Sequence, residues 1–342
     1  MIFRTILAWG LLLAHVLLAG CASSPEQRDR PEWVDGQASG WPAAQYLTGQ
    51  GSGATRSQAE NRARAALALS LEARIEAELS DETHFQASAG SASRDGAGAE
   101  TDITRKITAR THQVIRGMEI ADVWRAPDEG EYHALAVLER APARRQLRDE
   151  IRELDARTAR EVERARASRD ALAAIAAASR AVEAQEARRD LQSVLRVIDR
   201  GGRGIPPPWP LARLAADRDA LMDRIVLEAR AEMEDAGELA RRLSAALSRA
   251  GFRVARAGQE ADYVVTVRLD LDDLGRREGW FWKKGTLTLS LRDAQGRVRG
   301  VRDWDIKQAG REPLLAQRRV MDQVSRILDD SLRDAITGFA AP

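Results

Sequence analysis

One cysteine, Cys21, is all the sequence holds in 342 residues. An internal disulfide is excluded by that count, and so is a metal cage built from several thiolates. Lysine is almost as scarce: Lys106, Lys283, Lys284 and Lys307 are the whole set, so nearly all positive charge is arginine. Aromatic residues make up 5%, which makes any place where several of them gather unusual. Charge of one sign is missing too, with 53 basic against 52 acidic side chains and a formal net charge of +1. Such balance removes the electrostatic case for binding nucleic acid. The charges are interleaved, as on solvated helix faces. The longest apolar run, residues 6–18, falls short of the roughly 20 residues that a membrane-crossing helix needs.

That run has the other features of a secretory signal, with Arg4 as its positive end and small residues after it. Leu18, Ala19, Gly20 and Cys21 match the bacterial lipobox, in which small residues precede the cysteine that takes the lipid. The sequence thus predicts a signal peptide over 1–20, cleavage before Cys21, and diacylglycerol in thioether linkage with an N-acyl chain on that residue. This also explains a lone cysteine in a secreted chain. Buried methylenes contribute about 0.8 kcal/mol each, so several acyl chains make a stable anchor. Ala22 and Ser23 follow, without the Asp that retains lipoproteins in the inner membrane of enteric-type bacteria. The expected location is the outer membrane, lipid-anchored and facing the periplasm. Beyond this covalent lipid no cofactor is expected.

The mature chain divides by composition. Residues 21–30 form a polar, Pro-containing tether. Residues 31–141 read as a small α+β domain: a strand through Tyr46 and Leu47, a helix opened by a capping box at Ser57 and Glu60 and lined by Leu67, Leu71, Ile75 and Leu79, then a hairpin over 114–124 and 131–139. A Gly, Ser and Ala stretch at 89–99 reads as a loop, and 101–112 as a strand or a helix. Residues 142–224 are helical, rich in Ala, Arg, Glu and Leu, with a seam suited to coiled-coil-like pairing and a turn near Ser168, Arg169 and Asp170 that folds them into a hairpin. A Gly and Pro linker at 201–210 interrupts them. Residues 225–342 read as a second α+β domain, in the order strand, helix, several strands, helix. The predicted fold class is α+β: two small α+β domains joined by a long helical segment.

Few motifs carry chemistry. Gly49, Gly51 and Ala54 fit G-x-G-x-x-A between strand and helix, but no second strand ending in an acidic residue follows, so close packing of strand on helix is the better account. His84, His112 and His133 are scattered, and no spacing gathers them into a zinc site. Asp270, Asp272 and Asp273 lie in an alternating strand without the EF-hand loop pattern, which makes solvent-facing carboxylates the expectation over calcium. No nucleophile motif accompanies the histidines, and the protein is not expected to be an enzyme. The unusual cluster is Trp280, Phe281, Trp282, Lys283 and Lys284, beside a turn at Gly279. Rings with cations suit a partner or membrane contact, while alternate rings could equally cover the sheet of the second domain.

The lipobox, Pro31-Glu32-Trp33-Val34, Tyr46-Leu47-Thr48-Gly49-Gln50-Gly51 and the helix through Ala59, Ala63 and Ala66 resemble the LPP20 lipoprotein family, over roughly residues 21–141. The order of elements near the carboxyl terminus is similar to domains of the curli-secretion lipoprotein and TolB amino-terminal type. The likeness implies a non-enzymatic envelope role, and several such relatives build rings or discs at the outer membrane. This chain departs from the short family members by its helical segment and second domain, and a flagellum-related assembly is among the envelope assemblies the likeness implies. The expected function is a scaffold or binding module of an envelope assembly, with protein partners or self-association. The alternatives are an accessory factor or enzyme of cell-wall metabolism, and membrane-surface binding through the Trp280 to Lys284 cluster.

Overall fold

The computed structural model describes residues 29–88, 117–232 and 236–340, with backbone alone for 79–88. The lipobox residues, the predicted loop at 89–99 and the segment 101–112 lie outside the described residues. The fold is α+β. Packing divides the chain into two units, Met1–Gln146 with Ser193–Arg203, and Leu147–Gln192 with Gly204–Pro342. Among the described residues no helix is long and apolar enough to cross a membrane.

The first unit is a three-stranded antiparallel sheet with a helix on one face. Strand β1 (Tyr46–Gly53) pairs with β3 (Tyr132–Glu139), which pairs with β2 (Met118–Arg125). Helix α1 (Arg56–Ser88) lies across β1 and buries Ala59, Ala63, Leu67, Leu71 and Ile75. Its start differs from the predicted cap. Thr55 is the residue whose hydroxyl accepts a hydrogen bond from the Gln58 amide, at 3.3 Å, while Ser57 lies inside the helix. The hydroxyl two residues earlier wins because Gly53 ends β1 and the chain turns there. Gly49 and Gly51 are explained by the same contact. A Cβ on Gly49 would stand 2.6 Å from the Leu67 Cβ and 2.7 Å from the Ala63 carbonyl oxygen, so the glycines let strand and helix touch. On the opposite face Trp33, Trp124, Leu135 and Val137 form a second small cluster, with Trp41 at its margin. The Trp33 indole donates to Asp122 at 3.0 Å.

The predicted helical pair is present as α2 (Arg140–Ala167) and α3 (Ala171–Ile198), broken at residues 168–170. Asp170 caps α3 by accepting from the Ala173 amide at 3.0 Å. Within the second unit the helices run antiparallel: Val162 meets Ala181 and Val182, and Gln185 and Arg188 reach Asp155. The sequence expectation makes this pair a joint ending at residue 224, yet Leu172 and Ile175 share one buried cluster with Leu227, Val265 and Leu289. Their apolar stripe is wider than pairing alone requires, and the surplus covers the second unit.

That unit continues through α4 (Leu211–Met222), β4 (Val226–Glu232), α5 (Ala236–Arg249), β5 (Arg253–Val254), β6 (Tyr263–Arg277), β7 (Trp280–Asp293), β8 (Val298–Gly310) and α6 (Pro313–Gly338). The sheet order is β5-β4-β6-β7-β8, with β4 parallel to both neighbours and the rest antiparallel. Amphipathic α5 buries Leu239, Leu243 and Leu247, and α6 buries Val320, Val324, Leu328 and Leu332. Both stripes meet Leu287, Leu289 and Leu291 of β7 in one core.

Candidate functional site

The candidate cluster stands where β6 turns into β7. Glu278 and Gly279 both have positive φ, 51° and 82°, which makes the two-residue type I′ turn whose twist suits a hairpin. Four residues before it, β6 carries a bulge: Leu274 and Gly275 together face Trp282, between the pairs Asp273↔Lys283 and Arg276↔Phe281. Gly275 takes φ 69°, and its amide donates to Asp273 at 2.9 Å. Bulges bend and twist a hairpin, and this one re-aims its end.

Alternation along β7 assigns the rings. Leu287, Leu289 and Leu291 point to the helix-covered face, so Phe281 and Lys283 share that face and Trp280, Trp282 and Lys284 the opposite one. The prediction that the two indoles share a face is met. The expectation that they cover the sheet as core is not: all three rings are half-buried, and none belongs to the unit's buried cluster. Each instead carries a cation. The Lys307 ammonium lies 5.3 Å from the centre of Trp282, Arg311 5.6 Å from Trp280, and Arg276 5.9 Å from Phe281. Lys283 reaches Asp273 at 3.3 Å. The Gly275 amide and that ammonium hold the Asp273 carboxyl below the usual carboxylate range. Sequence reasoning missed Lys307 and Arg311, which come from β8 and the link between β8 and α6 and are brought there by the pairing Trp282↔Ala309.

The other residues singled out in sequence are placed without convergence. Asp270 pairs with Arg268 on the same strand at 2.9 Å, an exposed ion pair on the sheet surface. His133 packs against Trp124, ring centres 5.5 Å apart. His112 and Cys21 lie outside the described residues, as does the His84 side chain. Among the described residues no group of His, Cys, Asp or Glu could hold a metal ion. A cleft of about 530 Å³ in the first unit, lined by Trp41, Tyr46, Glu119, Val137 and Glu139, had no signal in the sequence.

A polar network lies buried in the second unit. Arg188, 2% exposed, donates to Asp155 at 2.8 Å and to the carbonyls of Ile205 and Pro206 at 2.8 and 3.3 Å. Gln185 adds bonds to Asp155 and Thr158, and Gln192 accepts from the Ile205 amide. The network is structural: its donors close on acceptors of the same unit, and they tie the second half of the Gly and Pro linker to the helical pair.

Residues 31–139 match the LPP20 lipoprotein family. The matched segment holds β1, α1, β2 and β3, so the match falls on the first unit's sheet and long helix. The secreted protein HP1454 of Helicobacter pylori has a similar chain trace over 83% of this chain and 96% of its own, at 13% identity and a TM-score of 0.42. A minor lipoprotein from Acinetobacter baumannii overlaps 33% of this chain and 87% of its own, at 18% identity and a TM-score of 0.24. A PelC dodecamer from Paraburkholderia phytofirmans overlaps 35% and 88%, at 14% identity and 0.23. No curated protein matches the sequence.

Proposed function

We infer that the protein is a lipoprotein anchored through Cys21 in the outer membrane, facing the periplasm, where it serves as a scaffold or binding module of an envelope assembly. The LPP20-type segment beginning ten residues after a lipobox cysteine carries this reading. The second unit supplies the module: its aromatic and cationic end is fixed by a bulge, a type I′ turn and ring-capping cations, the arrangement of a contact surface. A non-enzymatic role is part of this reading, and at that surface Asp270 and Asp273 are engaged with Arg268 and Lys283.

The test is crosslinking in living cells, with the tagged protein recovered from the outer-membrane fraction and compared with Cys21→Ser. A discrete ladder or defined partner set that requires Cys21 is the expected result. Monomer alone in both would overturn the scaffold reading, and hydrolysis of purified sacculi stimulated by the mature protein would move it to cell-wall metabolism.

A further inference from the structure

One end of the five-stranded sheet collects three of the chain's four lysines together with three of its sixteen aromatic residues. Trp280, Phe281 and Trp282 stand there with Lys283, Lys284 and Lys307. Apolar surface continues onto the first turn of α6, where Leu314 is 74% and Leu315 38% exposed. A Cβ on Gly310 would meet the backbone of Leu315 and Ala316, so that turn sits directly against the strand position paired with Phe281. Neither leucine nor any of the three rings belongs to the core cluster of the unit. Large apolar side chains outside the core and gathered in one place mark a contact with something other than water.

Two observations select lipid over protein. First, the apolar groups stand on both faces of the sheet end: Trp280 and Trp282 on one, Phe281 and Leu315 on the other. A flat partner would cover one face; a bilayer interface receives such an end all round. Second, cations lie over all three rings. Deep burial against a protein would strip those cations of water, whereas at a headgroup layer the rings take the apolar side and the cations stay wet beside phosphate. The acidic side chains of this end, Asp272, Asp273, Glu278 and Glu312, are outnumbered by Arg276, Arg277, Arg311 and the three lysines, and Asp273 is engaged with Lys283.

We propose that the β6–β7 end of the second unit, with the first turn of α6, is an interfacial tip that binds anionic phospholipid. This rests on the reading of the chain as a membrane-held protein, and gives it a second contact besides the acyl anchor.

The test uses the full mature chain with Cys21→Ser, made without its signal, in flotation with vesicles of phosphatidylethanolamine and phosphatidylglycerol or of phosphatidylcholine alone. Binding to the anionic vesicles that weakens with salt is expected, with little to the neutral ones. Trp280→Ala with Trp282→Ala should lower partitioning by about tenfold or more, and Lys284→Glu with Lys307→Glu should abolish the salt-dependent part. Both variants should keep the parent's Tm, since these side chains lie outside the core, and Leu69→Ala, at an exposed leucine of the first unit, should bind as the parent does. Flotation unchanged in the ring variant, or no flotation of the parent at low salt, overturns the proposal. Retention on immobilised polyglutamate without flotation overturns it in favour of an acidic protein. A crosslinking ladder in cells without flotation of the parent overturns the lipid tip alone, whereas flotation of the parent without any ladder supports the tip and overturns the scaffold reading.

Discussion

Gly49→Ala tests why the sheet and helix of the first unit touch as they do. The new methyl carbon would sit 2.5 Å from the Leu67 amide nitrogen, 2.6 Å from the Leu67 Cβ and 2.7 Å from the Ala63 carbonyl oxygen. Two of these are backbone atoms in the middle of α1, so no side-chain rotation relieves them. Ordinary contact needs nearly 1 Å more, and the helix must retreat by about that much. Ala59, Ala63, Leu67, Leu71 and Ile75, none more than 1% exposed, would each lose contact with the sheet. A gap of 0.5–1 Å gives up roughly a quarter to a half of each dispersion contact. Overpacking of this kind costs about 1–3 kcal/mol, and immovable backbone puts it at the upper end. The smaller entropy of the unfolded alanine chain returns about 0.5–1 kcal/mol, leaving a net loss of about 2 kcal/mol. The assay is native-state hydrogen exchange of the β1 and β3 amides in the unlipidated mature protein, with Gly40→Ala as control because a Cβ there meets nothing within 4 Å. Equal protection in the two variants would refute the close-approach argument.

Removing the buried guanidinium in Arg188→Met leaves the Asp155 carboxylate and two linker carbonyls short of a donor. It should destabilise the second unit by about 3–5 kcal/mol, read as a lower urea midpoint, and Arg188→Lys should recover only part because one ammonium cannot span all three acceptors. Thr55→Ala should cost about 1 kcal/mol, seen as faster exchange in the first turn of α1, whereas Ser57→Ala should cost less than half of that. Burial opposes ionisation of Asp170, but the Ala173 and Leu172 amides and the Arg299 guanidinium, at 2.6 Å, outweigh it and hold the carboxyl below the usual range. A depressed folded value contributes stability above the unfolded carboxylate value of about 3.9 and loses it as the pH falls through the folded value. The Tm of Asp170→Asn should therefore fall less than the parent's on acidification below about pH 4, and parallel curves would refute the pairing.

The parts of the fold that follow from local spacing were legible. Leu67, Leu71 and Ile75 recur at the helical period and all face the sheet; the break at residues 168–170 follows from Ser168 and Asp170 as capping side chains; β6 to β8 follow from alternation and from the turn at Asp293 and Gly296. What was not legible depends on partners distant in sequence. The rings and two lysines at residues 280–284 are visible as a string, but the caps from Lys307 and Arg311 and the exposed Leu314 exist only once β8 pairs with β7. Arg188 lies between these cases. In a chain so rich in arginine it reads as one more solvated helix residue. Yet Ala181, Gln185, Arg188, Gln192 and Leu195 fall at spacings of three and four, a single face, and three of the five are polar. A polar run on an inward face calls for partners, and Asp155, Thr158 and the carbonyls of Ile205 and Pro206 supply them. Because Arg188 and Gln185 converge on the single carboxylate of Asp155, a slip of one helical turn in the pairing would carry a buried guanidinium away from its counter-charge. The polar seam thus selects a single register for α2 on α3, where an apolar seam of Ala and Leu would tolerate several.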